Sequence, residues 1–425
     1  MLKTYMPYEL LTEDLKRRNY FWNKVKKASD WFGGNGAASA AEGNGGSLLV
    51  PFEGAEASSM SFGNLTASAD VSSATYVRGI IDSYRELWGT MKFYEKDLDG
   101  HTDIKKSFLK VLPGKIEQFN QRMSETVSQS LLNGSWICKL TATSDVGGNG
   151  LLTVDHPERL SIYQVVDVAD ANSNSVKAWV SSIDMNTKIV KVSSSLANAV
   201  SGTGYNLSGA YTVAQSAAVY TRGIFTDGST VQTSPATSFT SLRSATLSAT
   251  NGGDSTIYGQ TKTKYPYLQA INISGSAITA DNILEKLFDA FITCITLGKG
   301  MPTTMLMSMK HFANAGKTLE DNRQFSVTDK AAGYGWRKLN VLGNEGEMEL
   351  VGIRDMDDDV IHIVDWNAFK FHGSDFFNRK RHLDGNEFFL ERAVTGYTYL
   401  VDVRFFGDLV ISRPSNLGVI YGISY

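Results

Sequence analysis

Two stretches of the chain repeat apolar residues every three or four positions, the spacing of one face of a helix. In the first, Ile116, Phe119, Met123, Val127 and Leu131 follow Pro113-Gly114 and end at Asn133-Gly134, where glycine suits a left-handed cap. In the second, Ile283, Leu284, Leu287, Phe288, Phe291, Ile292 and Ile295 follow Thr279, a capping residue, and stop at Gly298. Beyond Pro302 the largely apolar run 304–309 predicts a buried strand, and 310–319 a short helix. From Trp336 onward the pattern predicts strands over 347–354, 359–364, 387–394 and 399–412.

Residues 48–100 change to a period of two, with Tyr76, Ile80 and Tyr84, then Met91, Phe93 and Tyr94, set among small and polar residues. Asp82-Ser83 is a candidate turn between two strands. So few apolar residues make no core of their own, so this hairpin is expected to lie on something else, such as another copy of the chain. Residues 140–262 are dominated by Ser, Thr, Ala, Gly and Val, and their short apolar runs, 163–168, 178–183 and 188–192, are broken by turn signals such as Met185-Asn186. That texture predicts a small antiparallel β module inserted between two halves of a larger domain.

At the N-terminus, Leu10, Leu11, Leu15, Tyr20, Phe21 and Trp22 fall near helical spacing, with Lys16, Arg17, Arg18, Lys24, Lys26 and Lys27 between them. Residues 33–47 are rich in Gly, Ala, Ser and Asn with almost nothing to bury, a flexible linker by composition. Together they predict an arm tethered to the body rather than integrated with it.

Composition narrows the class. At 425 residues, 42% hydrophobic and 20% charged, the chain buries one or two sizeable cores and is not a disordered protein. A net charge of −3 excludes a whole-chain nucleic-acid binder, so any such contact belongs to a local patch. Cys138 and Cys294 form neither a disulfide framework nor a zinc set, which fits a reducing cytoplasm. Residues 1–11 lack the apolar core of a secretory signal, and no window approaches the ~18 apolar residues of a membrane span, so a soluble, cytosolic, non-exported chain is expected.

Little in the sequence points to catalysis. His101, His156, His311, His362, His372 and His382 have no metal-ligand spacing. Gly33-Gly34-Asn35-Gly36 and Gly147-Gly148-Asn149-Gly150 are not followed by the Lys-Ser/Thr of a phosphate loop, and no Gly-x-Ser-x-Gly elbow exists. No catalytic residue, metal ligand or cofactor is therefore expected. Asp355, Asp357, Asp358 and Asp359 are read as a solvated acidic turn, and Arg379, Lys380, Arg381 and His382 as its basic counterpart. The two clusters are expected to meet across a salt-sensitive contact between copies.

The order of elements resembles the Hong Kong 97-type major capsid fold of tailed phages and some cellular compartments. Residues 79–98 (GIIDSYRELWGTMKFYEKDL) are similar to the second strand of that family's extended loop, and 301–319 (MPTTMLMSMKHFANAGKTL) to its proline–strand–helix element. The resemblance covers most of the chain and implies an α+β fold with six parts. These are an arm and linker over 1–47, the extended hairpin over 48–100 and a peripheral domain with its spine helix over 101–139. An inserted β-rich domain over 140–262, an axial domain over 263–335 and a strand-rich end over 336–425 complete it.

That resemblance also implies a structural, non-enzymatic role: a shell subunit assembling through hexamers and pentamers around viral double-stranded DNA, made in the host cytoplasm and resident in the virion. Its partners would be copies of itself, portal and scaffolding proteins, a decoration protein, and weakly and non-specifically the packaged DNA, with no membrane. Arg85, Glu86, Asp357, Asp358, Arg379, Lys380 and Arg381 are the candidate inter-subunit contacts, and Lys16, Arg17, Arg18, Lys24, Lys26 and Lys27 the candidate inner-face basic arm. An encapsulin-like compartment shell is the near alternative, set back by the size of the β insertion. A β-rich surface or tail adhesin is the distant one, set back by the two long helices.

Overall fold

From the N-terminus, the first elements are helix α1 (Tyr20–Lys24), strand β1 (Lys26–Ala28) and strands β2 (Leu48–Phe52), β3 (Val77–Ile81) and β4 (Arg85–Tyr94). The computed structural model of the chain describes residues 20–28, 48–52, 77–81, 85–94, 118–119, 121–134, 136–141, 150–169, 175–202, 218–221, 239–298, 300–321, 338–343, 346–373, 378–379, 389–393 and 396–424. The helix α2 occupies 121–132, with 118–119 also helical. The next strands are β5 (Trp136–Lys139), β6 (Leu151–Thr153), β7 (Val165–Ala169), β8 (Ser175–Asp184) and β9 (Ile189–Ser193). Helix α3 (Leu196–Ser201) and strand β10 (Ala218–Thr221) come before helix α4 (Leu242–Thr246). The small hairpin β11 (Thr256–Ile257) and β12 (Gln260–Thr261) leads to β13 (Ile271–Ser274), helix α5 (Ile283–Leu297), β14 (Thr304–Ser308) and helix α6 (Met309–Asp321). The end is all strand: β15 (Lys338–Gly343), β16 (Gly346–Ile353), β17 (Val360–Val364), β18 (Phe369–Gly373), β19 (Asn378–Arg379), β20 (Phe389–Ala393), β21 (Gly396–Ile411) and β22 (Gly418–Tyr421).

The chain divides into two compact units. One, the host, combines Met1–Leu132 with Thr240–Tyr425, and the other is Asn133–Phe239. The insertion is thus bounded at 133–239 rather than at the expected 140–262. Trp136–Lys139 is already its first strand, and the Ser/Thr-rich residues 240–262 belong to the host, to which their side chains are tied.

Within the host, a mixed six-stranded sheet runs β13-β22-β17-β14-β16-β15. All five residues of β14 and all five of β17 are buried, the pattern of strands covered on both faces. On one face, Ile283, Leu287, Phe291 and Cys294 of α5 and Phe312 and Ala315 of α6 pack on Met305, Met307, Ile361, Ile363 and Ile420. The helix α5 buries the 3–4 spacing that the sequence predicts, but its Ile292 is exposed. Gly298 caps α5 at a φ of −99°, not a left-handed one, and its amide donates to the Cys294 carbonyl. Glycine is needed there for space, since a Cβ would lie 2.7 Å from Ile271 and 2.8 Å from the Ser415 carbonyl oxygen.

A second host sheet is built around the 16-residue strand β21. Along one edge β21 pairs with all ten residues of β4, from Thr398 opposite Tyr94 to Gly407 opposite Arg85. On the other edge it meets β20, β19 and β18, and β18 in turn pairs in parallel with β1. The helix α2 buries Met123, Val127 and Leu131. Met123 and Phe119 close on the backbone of Gly89 in β4, where any Cβ would meet the Met123 sulfur at 2.6 Å. Gly134, at a φ of 107°, ends that helix where the sequence places its stop.

Two expectations change here. Asp82-Ser83 lie outside the described residues, but β3 and β4 on either side of them do not pair with one another. Instead β3 pairs with β2, Leu48 opposite Ile81 through Phe52 opposite Val77, so these two make the ribbon and β4 joins β21. The arm is also integrated rather than tethered at 20–28. Trp22 packs edge-on against Phe371 (4.8 Å) and Phe405 (5.4 Å), and Phe21 stacks on Phe369 at 5.6 Å. Burying these aromatic side chains outweighs the freedom of a short arm.

The insertion is a six-stranded antiparallel sheet in the order β5-β10-β7-β8-β9-β6. Its two outer strands meet: Leu140 bridges Val154, the Thr141 amide donates to the Thr153 carbonyl (2.9 Å) and the Asp155 amide to the Lys139 carbonyl (3.0 Å). The sheet therefore closes into a barrel without free edges. Leu140, Leu152, Val154, Val166, Val168, Ala178, Val180, Val190 and Val192 fill it, and register shifts at Val180/Ser182 and Val219/Tyr220 are the bulges that curve it.

Candidate inter-subunit surfaces and the strap that positions them

Residues 240–262, which follow the inserted unit, form a strap within the host unit. Ser241 caps α4 by accepting from the Ser244 amide at 2.9 Å. At the other end of α4, the buried Lys262 ammonium donates to the carbonyls of Ser244 (2.6 Å) and Leu247 (3.0 Å), the cation that a helix C-terminus favours. Burial lowers the Lys262 pKa to about 8.

Two charged knots fasten the strap. At its start, the fully buried Asp408 of β21 accepts from the Thr240 amide (2.5 Å), the Thr240 hydroxyl (2.9 Å) and the Leu409 amide (2.9 Å), with Arg85 Nε 3.6 Å away. Burial raises the Asp408 pKa against the pull of Arg85 and these donors. On α4, Arg243 grips Asp359 through two bonds of 2.6 Å and reaches Asp357 at 3.3 Å. Beside it, the buried His362 holds its Nδ1 3.3 Å from the Thr246 hydroxyl.

Several expected contact residues are accounted for within the chain. Asp357 is 4% exposed and is paired with Arg243 within the chain. Within the acidic turn Asp357 is thus part of an internal ion pair, because a carboxylate out of water needs its cation close by. Arg85 likewise turns toward Asp408 from the start of β4. Asp358 is half-buried, and its carbonyl accepts from His311 Nε2 at 2.5 Å. Glu86 lies in β4 and Arg379 in β19 by their backbones, their side chains outside the described residues, as are Lys380 and Arg381 altogether.

Of the basic arm, Lys16, Arg17 and Arg18 lie outside the described residues, and of Lys26 and Lys27 only the backbone in β1 is described. Lys24 is exposed, its ammonium 5.8 Å from the Tyr20 ring centroid. Apolar side chains do reach the surface: Met301 is 84% exposed, Leu297 at the end of α5 69%, and Ile80 on the ribbon 47%. Among the described residues, no group of three or more His, Cys, Asp or Glu is placed to hold a metal. No described helix is long and apolar enough to cross a membrane.

Sequence reasoning missed Arg243, Tyr258, Lys262 and Asp408. The first three sit in a stretch without periodicity, where only the charge of Arg243 and Lys262 amid Ser/Thr-rich residues marked them, and Asp408 lies in the predicted strand 399–412, whose pattern does not show that it is buried.

No family model matches the sequence, and no curated protein does. Solved structures do. The chain is similar to one in the cyanophage A-1(L) capsid asymmetric unit, at 11% identity and a TM-score of 0.48, over 98% of this chain and 94% of that one. It is also similar to a chain of the capsid of Myoviridae phage XM1 (9% identity, TM-score 0.40, 95% and 91% covered). A third is the capsid of a native GTA particle (9% identity, TM-score 0.41, 97% and 91% covered).

Proposed function

We propose that the chain is a major capsid protein of a tailed phage, a structural subunit that assembles through hexamers and pentamers into an icosahedral shell around double-stranded DNA. The observation that carries this reading is the order of elements in the host unit. A ribbon precedes a helix laid across a sheet, a β module interrupts the chain, and a helix-backed mixed sheet follows. The terminal strands are then shared between both sheets. That is the arrangement the Hong Kong 97-type resemblance implies. A closed shell needs subunits that cover their neighbours' edges, and a ribbon with little core of its own suits contacts made on assembly.

The surfaces that fit this role are the ribbon β2–β3 and the apolar side chains of Leu297 and Met301. Glu86, Asp358, Arg379, Lys380 and Arg381 stand as charged contacts between copies, and Lys16, Arg17, Arg18, Lys24, Lys26 and Lys27 as a modest inner-face patch toward DNA or a scaffolding protein. Portal and decoration proteins are further partners of the same reading, with assembly in the host cytoplasm and residence in the virion. Negative-stain electron microscopy tests it, on the protein expressed alone and with its neighbouring genes. Closed shells, or hexamers and pentamers that close on adding a scaffold, are expected. A persistent monomer under both conditions would overturn the reading.

A further inference from the structure

Tyr258 lies on the tight turn between β11 and β12, at a φ of 48°, followed by Gly259 at 77°. Two positive φ values suit a turn of this kind, but a tyrosine in the first position costs about 1 kcal/mol or more against glycine or asparagine. The side chain explains its presence. Its hydroxyl donates to the Leu409 carbonyl at 2.6 Å and accepts from the Ile411 amide at 3.0 Å, both on β21. Its backbone carbonyl accepts from the Ile80 amide at 3.0 Å, and its ring stacks on Phe52 with centroids 5.9 Å apart. One residue thus grips the long strand with one end and both strands of the ribbon with the other.

Neighbouring groups are shaped for the same purpose. Gln260 donates from Nε2 to the Arg78 carbonyl at 2.9 Å. Gly79 is buried beneath the turn, and a Cβ there would stand 2.7 Å from the Phe52 ring and 2.8 Å from Tyr258 Cβ. The hydrogen bonds from Ile80 and to Arg78 leave the ribbon for the strap. At its other end, Thr240 is held by Asp408, one residue before Leu409 in β21.

We propose that residues 240–262 act as a latch on the β2–β3 ribbon, with the docking of Tyr258 on β21 deciding whether the ribbon is held at its root or released. The strain at Tyr258 makes the docked state one that its hydroxyl bonds must maintain. Because the strap begins at Thr240, the first residue after the inserted unit, the ribbon is held only once the chain has returned from the insertion. The latch concerns the single chain and stands or falls apart from the shell reading.

Hydrogen exchange read by mass spectrometry on the unassembled full chain tests it, comparing wild type with Tyr258→Phe and Tyr258→Asn. Tyr258→Phe removes the bonds to β21 and leaves the bond from Ile80 untouched. Tyr258→Asn relieves the turn and removes the ring. The expected result in both is exchange over 77–81 faster by about tenfold, with β14 and the barrel strand β9 unchanged. Unchanged exchange over 77–81, or an increase spread equally to β14 and β9, would overturn the latch.

Discussion

Gly418 leaves the space that the Cys294 sulfur fills. Strand β22 passes so close to α5 at this point that a Cβ on residue 418 would collide with Cys294 Sγ, and then meet Ile363 at 3.3 Å. Gly418→Ala is therefore expected to destabilise the chain by about 1–3 kcal/mol, the usual cost of overpacking a core. In a Cys294→Ala background the same change should cost clearly less, since the colliding atom is gone. Denaturant unfolding of the four combinations measures this. Equal costs in both backgrounds would show that the sulfur is not the obstacle.

The same burial pushes the Cys294 thiol up to about 12. At pH 8 its thiolate fraction should be lower than in the unfolded chain by about a thousandfold, and modification by a maleimide correspondingly slower. Peptide mapping after timed labelling reads this for Cys294 alone. Labelling at the same rate in native and denatured protein would contradict the packing of α5 on the sheet.

Arg243 bonds two carboxylates that lie 114 and 116 residues away in sequence, and Asp357 is buried with it. Arg243→Ala removes a guanidinium buried against the Asp357 charge, so a loss of about 3–5 kcal/mol is expected. Arg243→Lys should recover little, because an ammonium lacks the fork that meets Asp359 with two bonds. Chemical denaturation of both variants decides it, and a full rescue by lysine would rule out the role given to the fork.

Acid should weaken the host unit through His362. Burial, and after it the Arg243 guanidinium, hold the His362 pKa down to about 3, while Asp359 and Asp357 pull the other way. The neutral ring is favoured in the folded state, so its contribution is complete above the unfolded pKa near 6.5 and falls as pH drops toward 3. The expected slope is about 1.4 kcal/mol per pH unit in that window. Asp408, with its raised pKa, titrates in the opposite sense. The informative measurement is therefore the pH dependence of unfolding in His362→Asn against wild type, where the variant should show the shallower acid limb.

Trp22 is fully buried between Phe371 and Phe405. Trp22→Ala should cost about 3–5 kcal/mol, as for other large aromatic truncations in cores. A tethered arm would lose almost nothing on thermal unfolding, so the measurement separates the two descriptions of residues 20–28.

What the sequence made legible were the elements whose pattern is complete within themselves. The two long helices, the buried strands at 304–308 and 360–364, and the barrel strands at 165–169 and 189–193 carry their own periodicity or apolar run. What stayed hidden depends on distant partners. Strands β3 and β4 are adjacent in sequence yet pair with β2 and β21, and nothing local distinguishes that from a hairpin at Asp82-Ser83. The strap has the same Ser/Thr-rich texture as the barrel, and only Arg243, Tyr258 and the carboxylates they approach assign it to the host. Asp357 looks like a surface residue until Arg243 is placed beside it. The basic residues at 16–18 and 380–381 lie outside the described residues.

The barrel's first strand and its last are hydrogen-bonded neighbours, Trp136 standing opposite Tyr220 and Cys138 opposite Val219. The module's sheet therefore begins and ends at one place, like a ring closed by its own two ends. That adjacency makes the paired ends of the sheet the natural place to open the barrel, to exchange it, or to graft a foreign domain in its stead.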